Sequence, residues 1–519
     1  MTTLQSPKQD LFDLVVIGGG INGAAIARDA ALRNLKVVLL EKNDFGSGAS
    51  SKTSKLAHGG VRYLEQFQFG LVRESLKERS LLLKNAPHLV KPLSFLMPVY
   101  SQDPHSLWKI HLGLYVYDYL AGDSLMPNHT KLTADVILKM VPALQSDGLK
   151  GGCSYYDAQM LDNRIVIENI LSAEKAGALV RNHTEVTGLV KELDRVTGVS
   201  YIDTRTGEKG VYIGKAIVNA TGAWSAEVGK MEPNTFHCSP EPTKGVHLVL
   251  PCIIPDVALL LRAPQDGRVF FILPWGKFSI VGTTDTFYGG NPDRLTIEDE
   301  DRAYLLNALN AFFPRLQYTE ASIISSFVGL RPLVAANKKN DPSGITREHV
   351  IQVSKGGMIT VLGGKFTTHR LIAKEVVDVV LSQNLFARDI ASKAFLKCST
   401  AFVPFPGALG PFTLNEVGQK LMNSGVNVGL ATHLLGIYGT RSLDILDIIQ
   451  KDSREAELIA KDHPHILAEI TYSVLNEHVK TAEDWFLRST SIHPCHPDQK
   501  YTDKVVEKIE ILTNNNNCV

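Results

Sequence analysis

The chain has 519 residues, 44% of them hydrophobic, which supplies a large core and favours several structural units over one compact domain. Lysine plus arginine equals aspartate plus glutamate at 54 each, so the formal net charge is zero. That balance excludes a global basic field for nucleic acid and makes any anion site a local one. The six cysteines, Cys153, Cys238, Cys252, Cys398, Cys495 and Cys518, form no CxxC pair. A reducing compartment therefore fits better than a disulfide framework.

Lys8, Asp10 and Asp13 precede the first apolar run, and no secretory signal is expected there. The stretch "FDLVVIGGGINGAAIARDAALRNLKVVLLEK" runs from Phe12 to Lys42. It predicts a buried strand over 12–17, a helix over 21–33 and a second buried strand over 36–40. Such a βαβ unit of about 30 residues carries a parallel crossover. Gly18, Gly20 and Gly23 follow the first strand in G-x-G-x-x-G spacing. Gly18 permits the tight turn, Gly20 lets the backbone approach a pyrophosphate, and Gly23 allows close helix–strand packing. The helix N-terminus offers unpaired N–H groups to phosphate. Glu41, ending the second strand, is placed to bond ribose hydroxyls. A dinucleotide site is the reading.

A glycine- and serine-rich loop is expected from Ser47 to Gly60, then helices over 70–85 and 161–177. "HSLWKIHLGLYVYDYLAG", His105 to Gly122, mixes aromatic and apolar residues with Lys109 and His111. It reads either as a surface segment lying on a bilayer or as a core helix with polar edges. A strand over 215–220 ends in the glycine turn of "NATGAW". Between 245 and 285 the texture becomes short strands separated by "PQDG" and "WGK", which predicts an antiparallel sheet. Thr296 with Asp299 suggests a capping box for a helix over 300–312. Residues 358–381 repeat the strand, glycine turn, helix theme through "GGKFTTHR". A second helix N-terminus near Thr367 is thereby aimed at an anionic flavin edge or its pyrophosphate, which favours FAD over NAD. After the proline-rich break near 400–411 the pattern is helical, apart from the tail "NNNNCV". No run reaches the roughly 18 apolar residues of a membrane span. "HPCH" at His493 to His496 has no second cluster, and no metal site is expected.

On "SKLAHGGVRYLE", "NATGAW", "KGVHLVLP", "PWGKFSIVGTTD", "GLRPL" and "GGKFTTHR", the chain resembles the FAD-dependent glycerol-3-phosphate dehydrogenases of the D-amino-acid-oxidase-like flavoprotein group. The resemblance covers residues 12–385, and more loosely the C-terminal part with "DWFLRST". It implies an α/β FAD-binding Rossmann-like domain, an antiparallel-sheet substrate domain and an all-α C-terminal cap domain. The first two share residues 1–395, with FAD-binding segments at about 10–75, 150–235 and 325–390 and substrate segments at about 76–149 and 236–324. Residues 396–519 form the cap.

The implied reaction oxidises sn-glycerol 3-phosphate to dihydroxyacetone phosphate by hydride transfer to FAD, with a membrane quinone as the next acceptor. The resemblance implies cofactor contacts from Gly18, Gly20, Ile21, Asn22, Gly23, Glu41, Ser50, Ser51, Ser54, Lys55, His58 and Gly60. It adds Ala220, Gly222, Trp224, Gly364, Lys365, Phe366 and Thr367. It implies substrate contacts from Arg62, Tyr63, His247, Thr284, Arg331 and Lys365, with His247, Arg331 and Lys365 catalytic. Arginine suits a phosphate dianion because its fork donates paired hydrogen bonds. Histidine suits a base that is neutral near pH 7; His58 is the alternative base. Asp285 reads as orienting a neighbour, since a carboxylate beside a dianion is costly. A cytoplasmic enzyme, peripheral on the inner face of the membrane and capable of homodimerising, is the expectation. An oxygen-using glycerol-3-phosphate oxidase, an amine or amino-acid oxidase of the same fold group, and a flavin-bearing scaffold stay open as alternatives.

Overall fold

Among the described residues backbone pairing sorts the strands into two sheets, both mixed in direction. In this computed structural model residues 11–122, 125–232, 241–333, 349–386, 395–461, 463–489 and 499–516 are described. Cys238, Cys495, Cys518, the "HPCH" run and Thr490 lie outside the described residues.

The eight-stranded sheet is ordered His349–Val353, Ile359–Gly363, Lys209–Asn219, Leu11–Ile17, Val37–Leu40, Leu179–Arg181. The hairpin Thr184–Glu192 and Arg195–Asp203 extends it from the 209–219 strand. Leu11–Ile17 pairs in parallel with both Lys209–Asn219 and Val37–Leu40. Its residues Leu14 to Val16 are fully buried, which is why the run is continuously apolar rather than alternating. The helix Ile21–Leu32 supplies the crossover and packs Ala24, Ala27 and Ala30 against Ile165 and Ile170 of the helix Asp162–Lys175 and Val376 of the helix His369–Ser382. Small side chains on its inner faces let three helices close on one sheet.

The ten-stranded sheet is ordered Thr286–Phe287, Thr243–Pro251, Phe278–Gly282, Val269–Trp275, Ala258–Arg262, Val90–Tyr100, Leu149–Met160, Leu56–Ala57. Ser325–Arg331 pairs antiparallel to Thr243–Pro251. The strands over 243–282 do pair antiparallel. The sheet as a whole does not: Ala258–Arg262 runs parallel to Val90–Tyr100. No short turn joins those two strands, so none imposes reversal. Leu149–Met160 and Ser325–Arg331 fall inside the segments expected for the cofactor domain, yet both belong to this second sheet. The loop expected over 47–60 contains a turn of 3₁₀ helix, Ala49–Ser51, and the short strand Leu56–Ala57. The helix expected after Thr296 starts at Asp299 instead. Glu298 and Asp301 form its capping box, while Thr296 Oγ1 donates to Glu298 at 2.6 Å.

Among the described residues six α-helices follow residue 413: Leu414–Asn423, Val428–Tyr438, Ser442–Lys451, Leu467–Asn476, Ala482–Ser489 and Gln499–Asn516. The last one takes in the first three asparagines of the expected tail. Buried ion pairs fasten this layer to the cofactor sheet. Arg164 meets Glu477 with two hydrogen bonds of 2.7 and 2.6 Å, Arg441 bridges Glu477 and Glu168, and Arg488 pairs with Asp44. Burial opposes ionisation of Glu477, but Arg164 and Arg441 outweigh it and hold its carboxyl down to about 2.

Candidate active site

A cleft of about 430 Å³ runs from the glycine turn after Leu11–Ile17 to the inner face of the ten-stranded sheet. At one end Gly18 adopts φ +101°, a left-handed conformation that L side chains rarely take, and a Cβ there would sit 2.8 Å from the Ala220 carbonyl oxygen. Ser50 Oγ accepts from the Ile21 amide at 2.9 Å, so the loop after the second strand is tied to the helix N-terminus. Glu41 accepts from the Gly19 amide at 2.7 Å and the Asn43 amide at 2.9 Å, one on each carboxylate oxygen. Burial pushes the Glu41 carboxyl up, against the pull of those two amides. Ile21, Asn22, Ala220, Gly222 and Trp224 line the same end.

Gly23 does not face the cleft. A Cβ at Gly23 would lie 1.8 Å from the Gly18 carbonyl oxygen, so the helix packs on the glycine turn only because this position has no side chain. Gly23→Ala is expected to yield a protein with at least a tenfold lower FAD-to-protein ratio, read from its visible absorbance after purification. An unchanged ratio would show that the turn tolerates the displacement.

The other end gathers charge. His247 is 2% exposed and its Nε2 lies 2.8 Å from Ser54 Oγ. Its Nδ1 is buried without a hydrogen-bond partner among the described residues. The ring stacks on Phe327 at 4.7 Å and fits because Gly282, opposite it, has no side chain. Burial, then Arg331 and Lys55, pushes the His247 pKa well below the ordinary histidine value, so the imidazole is neutral. Arg331 Nη1 donates to Asp285 Oδ1 at 2.9 Å and Nη2 to Thr283 Oγ1 at 3.1 Å. Arg268 donates to the Asp285 carbonyl at 2.6 Å. Lys365 Nζ donates to Ser75 Oγ at 3.0 Å and lies 4.0 Å from the Tyr63 ring centroid. Arg62, Tyr63, Ser54, His58, Gly60, Gly364, Phe366 and Thr367 line this half of the cleft.

Three further residues expected at the site do not line it. Lys55 Nζ is held by both Asp162 oxygens at 2.8 and 2.9 Å and by the Ser51 carbonyl at 2.6 Å, so its charge is spent on an internal ion pair. Ser51 Oγ turns back to the Gly48 carbonyl. Thr284 is 4% exposed and exchanges hydrogen bonds with the Val246 backbone; its neighbour Thr283 lines the cleft instead. The strand Phe278–Gly282 ends at that point, so alternation no longer tells which threonine faces inward.

Sequence reasoning also missed Arg268, Lys52 and Asp157, which all line the cleft. Burial, with help from Lys55, pulls the Lys52 amine down to about 8. Asp157 accepts from Arg79 at 2.6 Å, from the Tyr117 hydroxyl at 2.9 Å and from the Gly59 amide at 3.2 Å. It thereby anchors the His58–Gly60 loop from beneath. Only Arg268, a basic residue between the turn "PQDG" and the apolar run "VFFILPW", left a readable signal.

Comparison with known proteins gives a consistent result. Residues 13–379 match the family model "FAD dependent oxidoreductase", and residues 398–512 match "C-terminal domain of alpha-glycerophosphate oxidase". A glycerol-3-phosphate dehydrogenase of Synechocystis is 38% identical over 93% of this chain and 89% of its own length. The aerobic glycerol-3-phosphate dehydrogenase of Bacillus subtilis is 36% identical over 92% of this chain and 87% of its own. The crystal structure of the glycerol-3-phosphate dehydrogenase of Bacillus halodurans, complexed with FAD, matches with a TM-score of 0.79 at 28% identity, over 98% of this chain and 92% of that one.

Proposed function

The chain belongs to the FAD-dependent oxidoreductases, and from that premise we propose how its residues oxidise glycerol 3-phosphate and where the electrons go. The fold is an FAD-binding domain of mixed sheets with a helical C-terminal domain, and the activity is FAD-dependent glycerol-3-phosphate dehydrogenation. We divide the chain into interleaved cofactor and substrate parts through residue 395 and a helical part after it.

The cradle fits FAD on chemical grounds. A glycine turn closed to any Cβ, a helix N-terminus and a buried carboxylate on the adjacent strand suit a pyrophosphate and a ribose. Gly18, Gly20, Ile21, Asn22, Glu41 and Ser50 would hold the nucleotide; His58, Gly60, Ala220, Gly222, Trp224, Gly364, Phe366 and Thr367 would hold the rest. When bound, FAD supplies the two-electron acceptor for the substrate's C2 hydride.

The substrate's phosphate is held by Arg331, Arg62 and Lys365. Asp285 and Thr283 fix the Arg331 fork, so little side-chain freedom is lost on binding. His247 takes up the C2 hydroxyl proton at Nε2 by way of the Ser54 hydroxyl that bonds this nitrogen: Ser54 accepts from the substrate and gives its own proton to Nε2. The single observation carrying this reading is the buried His247 ring lining one cleft with Arg331 and the glycine turn. Anaerobic addition of glycerol 3-phosphate to the purified yellow protein tests it: the flavin absorbance should bleach. Bleaching by amino acids instead would favour an amino-acid oxidase.

We assign the next acceptor as a membrane quinone, reached at the helix Leu107–Ala121. Trp108, Leu112, Tyr115 and Tyr119 are 67%, 52%, 65% and 80% exposed on its outer side. Tyr117 on its inner side bonds Asp157, which lines the cleft. The exposed aromatic side supports the reading of a segment lying on a bilayer surface, and the side carrying Tyr117 backs the cleft. Exposed aromatics beside Lys109 suit the interface of an anionic bilayer. No helix among the described residues is long and apolar enough to cross a membrane. Replacing Trp108, Tyr115 and Tyr119 by serine is expected to reduce flotation with anionic vesicles about tenfold while dye-linked activity persists. Equal flotation would move the contact elsewhere. The oxidase name of the C-terminal family model makes oxygen the competing acceptor, and hydrogen peroxide formation at the rate of substrate oxidation would establish it.

A further inference from the structure

We propose that His433, His465 and Glu469 form a binding site for a divalent transition ion of the zinc type in the helical C-terminal layer. His433 lies on Val428–Tyr438, Glu469 in the first turn of Leu467–Asn476, and His465 just ahead of that helix. His433 Nε2 is 3.0 Å and His465 Nδ1 is 3.1 Å from the same oxygen, Glu469 Oε1. The three ligand atoms all lie within 4.8 Å of one another. Zinc held tetrahedrally by nitrogen and oxygen at its usual bond lengths spaces its ligand atoms about 3.4 Å apart. The two nitrogen-to-oxygen separations stand a few tenths of an ångström inside that spacing.

Other features point the same way. The second carboxylate oxygen accepts from the Ile466 amide at 2.8 Å, which fixes the carboxylate and leaves Oε1 facing both rings. The imidazoles meet edge to face, with planes at 87° and centroids at 4.5 Å, so both nitrogens converge without ring stacking. Glu469 is 0% exposed and His465 is 2% exposed against the buried Trp485 ring. His433, its side chain 11% exposed, is the most open of the three and gives the side from which an ion and a fourth ligand would enter. Two imidazoles and one carboxylate select zinc-like ions over calcium or magnesium. The bound ion would join two helices beside Trp485. Because it uses nothing in the flavin cleft, its loss and the failure of the proposed function are distinguishable.

The test uses the full-length FAD-loaded protein, incubated with zinc sulfate, desalted and measured by plasma mass spectrometry alongside flavin absorbance. About one zinc per chain is expected in the unaltered protein. His433→Ala should lower it at least tenfold with FAD content unchanged, and His433→Cys, which restores a zinc ligand, should recover it. A chelator should lower the Tm of the unaltered protein and leave that of His433→Ala in place. No retained zinc in the unaltered protein, or the same retention in His433→Ala, would overturn the proposal.

Discussion

Arg331→Ala is expected to reduce kcat/KM for glycerol 3-phosphate by between about 30-fold and a few thousand-fold, the effect of removing one partner from a desolvated charge contact worth about 2–5 kcal/mol. FAD content should be retained, since the Arg331 fork is fixed on Asp285 and Thr283. Two causes would act together. The phosphate loses a fork held by Asp285 and Thr283, and Asp285, with a side chain only 10% exposed, faces the dianion without the Arg331 charge between them. The second cause is separable: if repulsion dominates, Asp285→Ala in the Arg331→Ala background recovers much of the loss. Arg331→Lys should recover little, because an ammonium cannot satisfy Asp285, Thr283 and a phosphate in one plane. Unchanged kcat/KM in Arg331→Ala would remove Arg331 from the substrate site.

His247→Gln is expected to lower kcat by about 10²- to 10⁴-fold with FAD content retained, the usual contribution of a positioned base. Equal loss of flavin and activity would mean that the ring only packs against Phe327. The pH dependence has a definite sign. The base works unprotonated, and burial, Arg331 and Lys55 all push its pKa down. The acid limb of kcat should therefore fall below the ordinary histidine range, with no loss as pH is lowered from 8 through 6.5. Removing Arg331 takes away one of the depressing charges, so in Arg331→Ala that limb should move to higher pH. A wild-type limb at or above 6.5 would count against His247 as the base.

The nucleotide end of the cleft was legible because its determinants are local. Gly18, Gly20 and Gly23 sit within one turn, and the strand before them and the helix after them announce themselves by apolar run and by periodicity. The substrate end was legible in residue type but not in partnership. Arg331 stood out as a charge in an apolar run, yet its partner Asp285 lies 46 positions away. Lys55 looked like a cofactor ligand in a glycine-rich loop, and only the approach of the helix Asp162–Lys175 diverts it to Asp162. The choice between Thr283 and Thr284 turned on where a strand ends, which propensity places only to within a few residues.

By itself, then, the order of residues determined the βαβ crossover, its phosphate-facing turn and the strand–turn–helix at 359–382, because burial period and glycine spacing act over a few neighbours. The tertiary structure alone decided the parallel contact of Ala258–Arg262 with Val90–Tyr100, the Arg79–Asp157–Tyr117 anchor and the meeting of His433 with Glu469 across 36 positions. Those contacts are made when separate layers close on one another. Water is then excluded from charges that the linear chain leaves solvated, so each must find a partner that no local pattern names.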